Sequence, residues 1–155
     1  MSDTTQTQPI IPALTGVYEN LSAFGEPLIR VTAGLLLMPH GAQKLFGLFG
    51  GGGISGTAGF FAQIGIEPAV LAAVLVGLVE FLGGLFLALG LLTRPAALAI
   101  TVLMAVAVFQ VHLGNGFFWT GGGYEYPLFW GLIALAFVLR GGGRYSVDAR
   151  VGREF

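Results

Sequence analysis

Residues 69–92 read AVLAAVLVGLVEFLGGLFLALGLL, 24 positions that are apolar or glycine except for Glu80. As a helix rising ~1.5 Å per residue, such a stretch crosses a hydrocarbon layer of about 30 Å. A helix facing water carries a polar stripe at the 3.6-residue period. Positions 71–79 offer no charge at any phase of that period, and neither do positions 96–109. A soluble helical bundle is therefore excluded, and the segment decides for an all-α integral membrane protein.

The rest of the chain agrees. Of 155 residues, 55% are hydrophobic and only 10% charged, with a mean hydropathy of +0.83; a soluble domain carries about 25% charged residues. The length allows one domain. The 26 glycines follow no three-residue period, which excludes collagen, and the long apolar runs exclude disorder. A net charge of −1 with seven basic residues leaves no surface for nucleic acid. Cysteine is absent, so disulfides, thiolate zinc sites and cysteine-held iron–sulfur clusters are excluded. Electrons in any redox role must reside on a bound small molecule or a partner.

Working outward from residues 69–92, three further spans complete an expected four-helix membrane bundle. Span one, 28–46, contains Arg30, His40 and Lys44; span three, 96–113, ends with Gln110 and His112. Span four, 124–139, tolerates Pro127 in its first turn. The short Thr93-Arg94-Pro95 link makes spans two and three a hairpin. Residues 1–27 carry Asp3, Glu19, Glu26, Pro9 and Pro12, which do not suit a secretory signal. They are expected to form a polar tail and an interfacial segment around 14–24. In the first long loop, four glycines at 50–53 precede the apolar stretch 58–66, too short to cross and expected to lie as a short interfacial helix. Gly77 and Gly84, seven apart, should let another helix approach closely.

Four of the seven basic residues, Arg140, Arg144, Arg150 and Arg153, follow residue 139, and Arg94 occupies the hairpin link. By the positive-inside rule both termini and that link are cytoplasmic, with residues 141–155 forming an arginine-rich tail. Lys44, at the outer end of span one, is the exception.

An ionisable group inside a bilayer must snorkel, pair or neutralise. Arg30 is close enough to the inner end to snorkel. His40 and Lys44, four apart, share one face of span one. Glu80, His112 and Glu125 fall toward the same outer half. One reading is an ion-pair network that only pins helices: Glu80 with Arg30 or Lys44, Glu125 with Lys44. The other is a pocket suited to proton transfer, the histidines titrating near neutrality. A quinone entering from the lipid would find carbonyl donors in His40, Lys44 or His112, with Phe46, Phe109 and Phe129 as available walls. Two histidines and a carboxylate without ligand spacing are thin support for a metal, and bis-histidine haem would need both rings face to face at one depth.

Several stretches carry a family resemblance: RVTAGLLLMPHGAQKLFG at 30–47, EFLGGLFLALGLLTR at 80–94, His112, GYEYP at 123–127 and GRYSVD at 143–148. In this order they resemble the DoxX family of small four-helix membrane proteins. The resemblance implies a bacterial or archaeal cytoplasmic-membrane protein, oxidoreductase-like, with relatives that include a subunit of thiosulfate:quinone oxidoreductase and a component of a membrane-associated thiol and superoxide-detoxifying complex. It maps shared charged positions onto Arg30, His40, Lys44, Glu80, His112 and Glu125. The resulting expectation is a membrane subunit or small oxidoreductase exchanging electrons and protons with a quinone. The alternative is a non-enzymatic anchor or assembly factor whose tail, 140–153, docks a redox partner. Solute transport is weaker, since no inverted repeat of broken helices is present and four spans would need a homodimer to enclose a path.

Overall fold

The computed structural model describes residues 9–154, and over them the chain is helical. Residues 1–8, part of the expected polar tail, lie outside the described residues. Helix α1 runs Thr15–Phe46, α2 Gly53–Gln63, α3 Ala69–Leu89, α4 Thr93–Asn115, α5 Glu125–Arg140 and α6 Val147–Val151. Among the described residues, three helices are long and apolar enough to cross a membrane: Pro12–Phe46, Ala69–Leu89 and Thr93–Asn115.

This differs from a clean four-helix bundle. The expected fourth span is α5, whose 16 residues cover about 24 Å, short of the ~30 Å layer. It cannot start earlier, because Gly122 in the left-handed conformation (φ 77°) breaks the chain just before it. The first span is longer than expected. A 3-10 turn at Pro12–Leu14 leads directly into it, and α1 then continues unbroken from Thr15 through both Pro27 and Pro39, with no break between the expected interfacial segment and the span. A proline removes one helical hydrogen bond, and neighbouring elements compensate for the loss in a packed membrane helix.

α1 and α3 cross antiparallel on a seam of glycines. A Cβ at Gly34 would strike the Gly84 carbonyl and Ala88, and one at Gly41 would strike Gly77 and Phe81. The seven-residue spacing Gly34–Gly41 thus meets the spacing Gly77–Gly84, and backbone packs on backbone. α4 lies against α5, and α2 folds back onto α3 and α1. Ala33, Leu37, Leu87, Ile100, Met104 and Phe137 form the core where α1, α3, α4 and α5 meet. Ala58 and Phe61 of α2 bury themselves against Ala69 and Ala73 of α3.

The α3–α4 hairpin turns through Gly90 (φ 67°) and Leu92 (φ 47°), leaving two helix ends whose backbone groups need partners. Arg30 serves the first. Its guanidinium, 1% exposed, donates to the carbonyls of Leu87 (2.8 Å), Ala88 (2.6 Å) and Tyr145 (2.9 Å). Asp148 serves the second, accepting from Leu92 N (2.8 Å), Thr93 N (2.9 Å) and Thr93 Oγ1 (2.6 Å). Burial pushes the Asp148 carboxyl up, but the bonds from Thr93 and Leu92 and the Arg30 charge outweigh it and hold it below its ordinary value. Arg30 is therefore a tie between α1, the hairpin and the tail at this end of the bundle.

Candidate functional site

The opposite end of the bundle holds a half-open cavity of about 660 Å³ to which α1, α3, α4, α5 and α2 all contribute. Its carboxylate, ammonium and imidazole groups are His40 and Lys44 from α1, Glu80 from α3 and His112 from α4. Four of the six residues expected to matter are thus brought together.

The pairing is specific. Lys44 Nζ donates to Glu80 Oε2 at 2.6 Å, with side chains 27% and 9% exposed. Glu80 takes Lys44 as its cation; Arg30 is committed elsewhere. One of the three ammonium hydrogens is used, which leaves two for a further acceptor at this lining position. His112 Nδ1 lies 2.6 Å from the Gly122 carbonyl. A carbonyl only accepts, so Nδ1 carries hydrogen and Nε2 of the neutral ring is left as acceptor or base. Both Glu80 and His112 sit on π-helical turns, Val79–Gly83 and Ala107–His112. Such a turn inserts one residue into the helix and re-aims its side chains, an arrangement that recurs at functional sites.

Glu125 stands apart. Its Oε2 accepts from Trp119 N at 3.1 Å, and its own N–H donates to Phe117 O at 2.9 Å. It organises the loop that carries Trp119 and makes no ion pair with Lys44. Among the described residues no three His, Asp or Glu side chains gather as a metal would require.

The aromatic walls are not those the sequence offered. Phe46, Phe109 and Phe129 are 60%, 68% and 58% exposed and point outward, away from the cavity. The cavity is walled instead by Trp119, Tyr126 and Trp130. Trp119 stacks on Tyr126 (5.3 Å between centroids), Tyr126 meets Trp130 edge-on (5.6 Å), and Trp130 meets the His40 ring edge-on (6.5 Å). Trp130 Nε1 donates to the Ala33 carbonyl at 3.3 Å, which fixes the ring between α1 and α5. The i, i+4 spacing of Tyr126 and Trp130 was the available signal for this face. The fifth wall, α2, supplies Thr57, Phe60 and Phe61.

The DoxX family profile matches residues 26–113. That range includes His40, Lys44, Glu80 and His112 and stops before α5. An uncharacterised membrane protein of Mycobacterium tuberculosis is 34% identical over 149 residues, covering 86% of this chain and 87% of its own. An uncharacterised protein of Haemophilus influenzae is 33% identical over 127 residues, 77% of this chain and 85% of its own. A Bacillus subtilis protein, CatD, whose name assigns it provisionally to the oxidoreductases, is 32% identical over 89 residues, 57% of this chain and 60% of its own. No solved structure matches the chain significantly.

Proposed function

This chain belongs to the DoxX family, and on that premise we propose that it is a multi-pass inner-membrane protein whose cavity exchanges protons and electrons with a quinone or similar redox lipid. The observation that carries the reading is the 660 Å³ cavity, which gathers His40, Lys44, Glu80 and His112 within a largely apolar lining. In this reading α5 is the fourth span, the arginine-rich tail is cytoplasmic, and the cavity lies in the outer half of the bilayer. The oxidoreductase name of the Bacillus subtilis relative points the same way.

The residues suit such a ligand. A quinone is a flat ring with two carbonyl oxygens, and Trp119, Tyr126 and Trp130 offer flat apolar faces. The free hydrogens of Lys44 are donors for one carbonyl. A quinol leaving as quinone gives up two protons. Nε2 of His112 is a base for one, and Glu80, relayed through Lys44, is a base for the other. The chain has no cysteine, so the electrons pass to a second molecule, a soluble or membrane-bound partner.

The second reading, an anchor that docks a redox partner through 140–153, keeps only part of that segment. Ser146 and Asp148 are buried against the hairpin, which leaves Arg144, Arg150 and Arg153 for a partner. The deciding experiment is purification in detergent followed by mass spectrometry of the extracted lipids and a quinol-oxidation assay with an artificial electron acceptor. Co-purifying quinone and acceptor-dependent oxidation support the proposal. If no quinone is found and added quinol is neither bound nor oxidised, the proposal fails.

A further inference from the structure

At the tail end of the bundle a second cavity, about 440 Å³, lies between α1, the end of α5 and the segment leading to α6. Ser22, Glu26, Arg140, Gly143, Arg144 and Tyr145 line it. Its two arginines are held in place. Arg140 donates to Glu26 Oε2 through Nε at 2.7 Å and Nη2 at 2.6 Å. The Arg144 guanidinium rests 5.1 Å from the centre of the Tyr145 ring. That ring stacks on Phe24 at 5.6 Å, and the Tyr145 carbonyl is fixed by buried Arg30.

Glu26 neutralises one arginine. The other carboxylate at its edge, Glu154, accepts from Gly142 N at 3.2 Å and faces Arg94 at 3.5 Å. Among the described residues Arg144 makes no ion pair, so Arg140 and Arg144 are set against the single lining carboxylate of Glu26, whose Oε1 has no partner there. Its rim continues into apolar surface: Phe24, whose ring stacks on that of Tyr145, is 54% exposed, and Tyr145 itself is 44% exposed. A guanidinium-lined cavity at the end of membrane helices, continuous with an apolar flank, is complementary to an anionic amphiphile. A small soluble anion would gain nothing from the flank.

We propose that this cavity binds the phosphate headgroup of an anionic phospholipid, with Arg144 as the main phosphate donor and the acyl chains running past Phe24. A guanidinium forks onto phosphate oxygens with two parallel N–H bonds, which favours arginine over a diffuse charge. The site is independent of the quinone cavity and needs only that the chain be embedded in a bilayer.

The test uses the full-length protein in zwitterionic nanodiscs, titrated with dioctanoyl phosphatidylglycerol and followed by native mass spectrometry and thermal unfolding. Saturable binding with a rise in Tm is expected. Arg144→Gln should weaken it about fivefold or more, whereas Arg153→Gln, in the same tail but outside the cavity, should leave it unchanged. Matching circular dichroism of the two variants guards against misfolding. Three results would overturn the proposal: equal weakening by both variants, equal binding of dioctanoyl phosphatidylcholine, or the same Tm rise with inorganic phosphate alone.

Discussion

At the scale of single residues, the few charges inside the bundle divide by partner. Glu80 and Lys44 hold each other at 2.6 Å beside an open cavity, a geometry that serves proton exchange as readily as it serves packing. The two roles separate by substitution. Glu80→Gln keeps an acceptor for Lys44 and should leave Tm nearly unchanged while lowering quinol oxidation on the order of 100-fold. Arg94→Gln, which loses only a 3.5 Å contact to Glu154, should not change the rate. If Glu80→Gln chiefly lowers the yield of folded protein, the pair is a helix pin. Lys44→Met removes the cation and should cost on the order of 3 kcal/mol, with most of it recovered by adding Glu80→Leu; thermal unfolding of the three variants checks this. Asp148 has a different signature. Its carboxyl is held below its ordinary value, so its contribution is complete above the unfolded value of about pH 3.9 and is lost as pH falls through the folded one. Asp148→Asn should lower Tm at neutral pH and flatten the acid limb of the Tm–pH profile.

At the scale of elements, the glycines have opposite roles that spacing alone does not separate. Gly34 and Gly41 lie where α1 touches the α3 backbone, while Gly16 and Gly25, in the same helix, have nothing within 4 Å of an added Cβ. Gly34→Val should therefore destabilise by at least 1–3 kcal/mol. Gly16→Ala and Gly25→Ala should be neutral or stabilising by about 0.5–1 kcal/mol, all read from thermal unfolding in one detergent. The seam was half legible: Gly77 and Gly84 marked one side in the sequence, but nothing local identified α1 as the helix that would meet them. The π turns at Glu80 and His112 were not legible at all. They add one residue to a helix without any proline or polar run to announce it, and they decide which way those two side chains face.

At the scale of the whole molecule, the two ends of the bundle differ in chemistry. One end is tied by Arg30 and Asp148 to the hairpin and the tail; the other holds the cavity beneath α2 and the aromatic loop. The orientation proposed for these ends is directly testable, because the chain has no native cysteine. In inside-closed cells, Thr120→Cys should react with a membrane-impermeant maleimide and Arg150→Cys should react only after the membrane is opened. The reverse pattern would move the cavity to the cytoplasmic half.

The amino-acid sequence by itself determined the membrane class, the helical content, the hairpin of α3 and α4, and the short list of polar residues worth following. These follow from hydropathy and from the cost of burying charge, both of which are properties of a residue and its near neighbours. Only the tertiary structure decided which members of that list meet. It joined Lys44 to Glu80 and turned Arg30 and Glu125 into supports for backbone. It replaced the expected phenylalanine walls with Trp119, Tyr126 and Trp130, and buried part of a tail that read as a free basic segment. Those outcomes depend on the rotation of each helix about its axis and on its depth against the others. Both are set by glycine contacts between α1 and α3 and by helix-end hydrogen bonds that join residues more than fifty positions apart, such as Arg30 with Leu87 and Asp148 with Thr93.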